Sequence, residues 1–488
     1  MKQVLLLTAT ATPTVLEDMC EKFAIPRENA VVTGFHRPNL LLNIRPTAES
    51  EKDGALLELI RRDPSQPTIV YATRQKTSER LAELLKPFSA RAYHAGIKSE
   101  DRERIQEHFM SGEVPIVAAT IAFGMGIDKA DIRRIIHYDL PKSIENYSQE
   151  IGRAGRDGGQ ACCTVLANRD GNGVLENFVY GDTPEKEAIG KLVRMVGENP
   201  NETWEARLYQ LCFKLNIRPL PLKTLLVHLE MAGVLEPRYS YFEELPFKFL
   251  TDREEILRRF QGERRELLRA VFEHSRTARI WTRPDIRATT ASYGTDKRRI
   301  LLALEYLDEK GWIELHRQRS VEVFAILNQQ FDVEEQSERL YRTMKEREAY
   351  DLERIRRMIT FFESETCLAR GLSAYFGQEG VEACGLCSVC TGGKATLKTT
   401  VEKPPLHTFD FRKITAGLFQ TEDLDPTAGT VTSFLCGITS PVTARFRFYG
   451  LDSFGRLEGY RYREVADWVG RQMEETVPVG GIGTGGSV

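Results

Sequence analysis

At 488 residues and 55.5 kDa, the chain has room for about three to five domains. With 41% hydrophobic and 28% charged residues, its composition is that of an ordinary globular protein, not a disordered or fibrous one. Net charge is −3, so no global polycation signature exists and any nucleic-acid contact is expected to be local. The longest apolar runs, Val4–Leu7 and Ile116–Ala119, fall far short of the ~20 residues a membrane-crossing helix needs. No membrane partner is expected, and Met1–Leu7 running straight into Thr8-Ala9-Thr10 does not read as a secretory signal.

Cysteine usage narrows the compartment. Cys20, Cys162, Cys163, Cys212 and Cys436 are scattered, whereas Cys367, Cys384, Cys387 and Cys390 cluster. One metal site in a reducing cytosol explains this better than a disulfide framework. A cytoplasmic location is expected, nucleoid-associated if the source is bacterial.

Over the first 170 residues, short apolar runs alternate with helical patterns. Strands are expected at Val4–Leu7, Thr68–Tyr71, Arg91–Tyr93, Ile116–Ala119, Ile135–Tyr138 and Cys163–Leu166. Helices are expected at Val15–Phe23, Thr77–Leu85 and Glu100–Phe109. Fully apolar strands between helices predict a parallel sheet covered on both faces. In such sheets chemistry sits beyond the carboxyl ends of the strands.

Polar clusters lie at those ends: Thr8–Thr12, Tyr71–Arg74, Tyr93–Gly96 and Thr120–Lys129, then Gln149–Gly158 after a helix. Small residues and hydroxyls there let N–H and Oγ groups approach phosphate. Gly124, Gly126, Gly152 and Gly155 allow close approach. Arg153 and Arg156, three apart, can face one polyanion. Taken singly these signals are weak; His94 alone is more often a satisfied structural histidine, and Asp128 alone a turn residue.

In this order and spacing, the clusters resemble the RecQ family of superfamily 2 DNA helicases. Thr8–Thr12 matches motif III, Phe35-His36-Arg37-Pro38-Asn39-Leu40 the F-x-R-P-N-L junction, and Thr68–Arg74 motif IV. Tyr93–Ile97 matches Y-H-A-G-[LI], Thr120–Lys129 motif V and Gln149–Gly158 motif VI. The resemblance implies a motor of two RecA-like lobes with ATP and Mg²⁺ between them and single-stranded DNA across their top. Arg156, with Arg153 beside it, is then the finger reaching the γ-phosphate. Such a group is worth ~10³–10⁵ in rate in related NTPases. Gln149 is implied to position water or phosphate. Asp128, with Gly124 and Gly126 beside it, is implied to meet the nucleotide. Thr73, Arg74, His94 and Thr120 are implied to touch the DNA backbone or couple it to the cleft, by contacts blind to base identity.

One departure from the family is decisive. No window reads G-x-x-x-x-G-K-[ST], and no D-E-x-H box is present. The chain is therefore expected to be a fragment that opens at motif III, from a truncated gene or a mis-called start, and inactive alone as an ATPase. Residues 1–45 are expected to be the remnant of a first lobe, with strands that lack sheet partners, and 46–170 a complete second lobe.

Beyond Leu166 the pattern turns helical. Leu222–Leu235 and Arg298–Ile313 each read as an amphipathic helix, a glycine stop and a β-like run. Two successive winged-helix-like units are expected, at 171–250 and 251–335. Within the second, Arg276, Arg279, Arg283, Arg287, Lys297, Arg298 and Arg299 face only Asp285 and Asp296, with Trp281 and Tyr293 interleaved. That has the form of a duplex-DNA footprint, carried chiefly by Arg283, Arg287 and Arg298, or else of a solvated face with a core tryptophan. Tyr239–Phe242 is either a wing-tip pin or, more simply, core aromatics.

Residues 336–395 are expected to hold a helical hairpin and a zinc module. The spacing C-x₁₆-C-x₂-C-x₂-C over Cys367, Cys384, Cys387 and Cys390 closes a tetrahedral thiolate shell with no place for water, hence a structural Zn²⁺. It also resembles the RecQ zinc module, except that roughly 200 residues separate it from the lobe. Thr391–Leu406 reads as a linker, 396–475 as an accessory module with no match, and 476–488 as a flexible tail.

The reading is an α/β RecA-like lobe, winged-helix-like α+β units and a four-cysteine module. Together they form a RecQ-like, ATP-dependent 3′→5′ DNA helicase of repair and recombination, with single-stranded and duplex DNA as partners. The rival is a non-enzymatic DNA-binding adaptor, which an in-frame P-loop in the genomic sequence ahead of Met1 would disfavour. An RNA helicase is a weaker third.

Overall fold

The computed structural model describes residues 4–124, 127–328 and 330–476. They form two units. One comprises residues up to 181 with 346–439 and 448 onward; the other comprises 182–345 with 440–447.

The first unit is built on a six-stranded, all-parallel sheet. Its strands are β1 (Leu40–Pro46), β2 (Thr68–Tyr71), β3 (Arg91–Tyr93), β4 (Ile116–Ala119), β5 (Arg134–His137) and β6 (Ala161–Ala167). Their order is β1-β6-β5-β2-β4-β3. Alternation along β2 sends Ile69 and Tyr71 into one core and Val70 into the other. The Val70 side is closed by helices Lys52–Arg61 and Gln75–Leu84 through Leu56, Ile60 and Leu81. Arg134 donates to the carbonyls of Leu59 and Asp63, a cation on the spent C-terminal carbonyls of a helix.

Two expectations fail here. Val4–Leu7 forms no strand; Leu5 and Leu7 are more than four-fifths exposed, because no strand lies beside them to pair with. Residues 40–46 belong to the sheet, not to a remnant ahead of it: β1 pairs with β6 from Leu40↔Ala161 to Pro46↔Ala167. Leu40–Pro46 follows a motif junction that reads as a boundary in the sequence, whereas in the fold it is the edge strand of the sheet.

The Tyr71 side of the sheet carries the zinc module. Ile355, Met358 and Phe362 of the Val333–Phe362 helix, Leu368 and Leu372 of the Leu368–Tyr375 helix, Phe376 and Cys387 share one core with β1, β2, β4, β5 and β6. Phe362 meets Tyr147 edge to face, ring centroids 5.2 Å apart. Distance in sequence is thus no distance in space, since the intervening residues fold as the other unit. The segment expected to be a linker is also packed. Ala395 and Leu397 are buried in this core, Arg169 N–H donates to the Lys398 carbonyl at 3.0 Å, and the Thr400 hydroxyl donates to Asp170 at 2.6 Å. The four-helix C-terminal module follows: Phe411–Phe419, Ala428–Leu435, Pro441–Arg445 and Tyr462–Thr476. All but Pro441–Arg445 belong to this unit. Asn177 donates to its Cys436 and Glu458 carbonyls, and Tyr180 stacks on Tyr462 at 4.5 Å.

The second unit is nested. Strands β7 (Thr203–Arg207), β8 (Leu235–Glu244) and β13 (Gln318–Ile326) form a sheet in the order β7-β13-β8. Between β8 and β13 lie β9 (Phe247–Phe249), β10 (Ser275–Ala278), β11 (Trp281–Pro284) and β12 (Ile313–Leu315), ordered β10-β11-β9-β12. These have their own core of Phe247, Leu268, Phe272, Ile300, Leu304 and Ile313. The host core holds Leu192, Trp204, Leu225, Leu229, Phe324 and Met344. The two expected consecutive units are therefore one inside the other: β13, assigned by sequence to the second, pairs with β7 and β8 of the first. The helix–glycine–strand pattern holds at both places, with Gly233 at φ +69° and Gly311 at φ +68°. Tyr239 and Tyr241 lie within β8, opposite Val323 and Val321, not at a wing tip. The expected tail beyond residue 476 lies outside the described residues.

Candidate phosphate-facing site and metal centre

Helix Ile144–Ile151 begins at Ser143, whose hydroxyl accepts from Asn146 N–H, and ends at Gly152. It delivers the Gln149–Gly158 segment to the rim of a cavity of about 370 Å³. Thr10, Arg37, Gln149, Arg153, Arg156 and Leu372 are among its walls. Gln149 Nε2 donates to Thr10 Oγ1 at 2.8 Å, so the structure does join motifs III and VI.

The two arginines differ. Arg153 turns inward and donates to the Gly124 carbonyl; a Cβ on Gly124 would displace that guanidinium. Arg156 turns outward and pairs with Asp128 at 2.6 Å, a contact in which Asp128 is 88% exposed. An exposed pair is weakly held, so Arg156, which also donates to the Ile127 carbonyl at 3.3 Å, is the more loosely held cation and Arg153 the more firmly held one. Gly126 lies outside the described residues.

Between them the loop is pinned at Gly155. Its carbonyl accepts from Arg37 Nη2 at 2.7 Å and Asn39 Nδ2 at 2.8 Å, and its φ is +55°. A Cβ there would sit 2.5 Å from Asn39 Nδ2. Arg133 and Asp157 close the far side, Nη1 to Oδ1 at 2.9 Å. The Arg133 hydrogen bond and the Gly159 N–H hold the Asp157 carboxyl down at about 2. Sequence reasoning quoted Arg37 and Asn39 within a motif but gave them no task. It also missed the buried pair behind the site, His137 Nε2 to Glu150 Oε2 at 2.7 Å; only a histidine directly after Ile135-Ile136 in a fully buried strand hinted at it.

The residues expected to touch DNA in this unit are occupied by protein. His94 is 4% exposed, its Nε2 3.1 Å from Glu79 and its Nδ1 accepting from Gly96 N–H. Thr120 is buried, and its N–H donates to the Tyr93 carbonyl. Thr73 N–H donates to Asp139 at 2.8 Å. Arg74 Nη1 lies 2.8 Å from Glu458 of the C-terminal module.

In the nested module, Arg276, Arg279, Arg283, Arg287 and Arg298 are all exposed. None of them forms an ion pair among the described residues. Arg276 lies directly across from Arg283 in the β10–β11 hairpin. Like charges so placed repel, which favours a polyanion above them. Lys297 instead covers the Tyr241 ring at 3.8 Å.

The four cysteines do converge. Their sulfurs all lie within 4.8 Å of one another, with Cys367–Cys384 and Cys387–Cys390 each at 3.5 Å. Backbone N–H groups of Cys384, Cys387 and Leu368 point at sulfur. Burial pushes the Cys367 thiol up, but N–H groups of Arg370 and Cys384 outweigh it and bring it down to about 6. A thiolate shell of this span and donor set fits one tetrahedral Zn²⁺ with no open position.

Two family models match: the helicase conserved C-terminal domain over residues 51–158 and the RecQ zinc-binding domain over residues 327–391. Fold and first match together define a RecA-like helicase C-terminal lobe. Among relatives, Bacillus subtilis ATP-dependent DNA helicase RecQ is 42% identical over 33% of this chain and 28% of its own length. The mouse bifunctional 3'-5' exonuclease/ATP-dependent helicase WRN is 41% identical over 40% of this chain and 14% of its own. A mimivirus protein (Acanthamoeba polyphaga mimivirus), provisionally named an ATP-dependent RNA helicase, is 39% identical over 34% of this chain and 30% of its own. The chain thus spans less than a third of each. The zinc-binding match covers the four-cysteine cluster, so the chain carries a RecQ zinc-binding domain as well as a helicase C-terminal domain.

Proposed function

We propose that this chain serves an ATP-dependent, 3′→5′ DNA helicase of repair and recombination, contributing the second-lobe wall of the ATP site. The observation that carries the reading is the Gln149–Arg156 segment, whose loop is pinned at Gly155 while Arg156 stays exposed at a cavity rim. Arg156 leaves Asp128 to meet the γ-phosphate, where a guanidinium stabilises charge in transfer. Arg153 holds the motif V backbone, Gln149 orients water or phosphate, and Asp128, once released, faces the ribose with Gly124 and Gly126 beside it. Bound Mg²⁺ supplies neutralisation of the phosphates in such sites. Its ligands and the P-loop lysine are not in this sequence, so the chain alone hydrolyses no ATP.

Single-stranded DNA meets the lobe at Thr73 and Arg74, with His94 and Thr120 coupling that rim to the cleft. Duplex DNA meets the nested module at Arg283, Arg287 and Arg298, in a winged-helix-like manner. The working compartment is the cytoplasm, or the nucleoid in a bacterium. Among the described residues no helix is long and apolar enough to cross a membrane.

The test is phosphate release by the purified chain with ATP, Mg²⁺ and DNA. None is expected; release that Arg156→Ala abolishes overturns the inactivity. A second reading, a non-enzymatic DNA-binding adaptor, is favoured by the unpaired arginines of the nested module.

A further inference from the structure

The zinc-bearing helix Leu368–Tyr375 begins at ligand Cys367 and ends at Phe376, after which Gly377 takes φ +80°. That turn is fixed by Gln378 N–H donating to the Ser373 carbonyl at 2.9 Å. It aims the Gln378 side chain at the junction ahead of β1. Gln378 Oε1 accepts from both Phe35 N–H (2.6 Å) and His36 N–H (3.0 Å), while Phe35 stacks on Phe376, centroids 4.4 Å apart. One residue further, Arg37 donates to the Ala154 and Gly155 carbonyls. Asn39 donates to Gly155 and Gly159 at 2.8 and 2.9 Å. An unbroken series of contacts therefore runs from a zinc ligand to the loop between Arg153 and Arg156.

We propose that Gln378 is a positioning residue for the motif VI loop, and that the zinc module sets the placement of Arg156 through Gln378, Phe35–Arg37 and Asn39. The functional meaning rests on Arg156 facing phosphate; the mechanical coupling does not. Both contacts at Gln378 use only its acceptor oxygen, so a carboxylate replaces it and a methyl group does not. Loss of such shared acceptors frees the segment by local opening, not global unfolding.

Hydrogen exchange read by mass spectrometry on the zinc-loaded full chain tests the coupling without nucleotide, so its outcome is independent of whether Arg156 acts on ATP. Gln378→Ala is expected to speed exchange roughly tenfold in peptides covering 33–40 and 152–160. Zinc content and exchange in β4 should stay as in the wild type, which shows the variant is folded. Gln378→Glu should restore both peptides. Asn39→Asp, which removes the donor to Gly155, should free 152–160 while 35–36 stay protected. The proposal is overturned if Gln378→Ala frees 33–40 but leaves 152–160 unchanged, if it changes neither, or if Gln378→Glu fails to restore them.

Discussion

The lobe with its zinc module and the basic stretch of the nested module treat their arginines in opposite ways, although Arg259, Arg269 and Arg299 of the nested module hold carboxylates. In the lobe, Arg74, Arg133 and Arg354 each hold a carboxylate from a distant part of the chain. In the nested module, five arginines hold none, and two of them oppose each other across a hairpin. Paired cations knit a fold together; unpaired ones leave a field for an anion to fill. The difference teaches that a motif's expected ligand contact is not the same as an available cation.

The contrast in cores can be broken first. Cys387→Ser, or chelation of zinc, should unfold the zinc module and expose the Tyr71 face of the sheet, because Cys387 and Phe362 lie in that core. A native near-UV circular dichroism spectrum with no zinc bound would contradict this. Next, Phe362→Ala, at a side chain with no exposure, should cost about 3–5 kcal/mol in chemical denaturation and loosen lobe and zinc module together. Phe272→Ala, in the separate nested core, should loosen only residues 245–317. Exchange patterns that fail to separate the two variants would merge the cores.

Smaller effects sharpen the electrostatic half. Glu458→Ala removes an exposed partner of Arg74 and should cost no more than about 1 kcal/mol, while single-stranded DNA binds a few-fold tighter by fluorescence anisotropy; unchanged binding would mean Arg74 does not meet DNA. The smallest effect is acid sensitivity at Asp157. Its folded pKa of about 2 lies below the ordinary 3.8, so its stabilisation is fully present above about pH 4 and is lost as pH falls toward 2. Asp157→Asn should flatten the stability profile in that window; an unchanged slope in acid denaturation would remove the pair from the account.

Much of the lobe was legible because its strands are short and buried on both faces, so Thr68–Tyr71 and Ile116–Ala119 read as strands without their context. Val4–Leu7 reads the same way and is not one, since apolarity marks a candidate and only a neighbour makes a strand. The nesting was illegible because periodicity sees contiguous residues, whereas β8 finds its partner β13 across an entire inserted module. The cysteine shell was legible from spacing. The anchoring of motif VI was not, because Gln378 and Asn39 act through paired hydrogen bonds to backbone, which leave no compositional trace.

The most direct test of the account is duplex-DNA affinity across a salt series for the wild type, Arg74→Ala and the triple reversal Arg283→Glu, Arg287→Glu, Arg298→Glu. The account predicts that Arg74→Ala leaves duplex affinity near wild type. The triple variant should bind far more weakly, its log–log salt slope shallower by about three, at ~0.9 per lost phosphate contact. Equal affinity and slope for the triple variant and the wild type would contradict it.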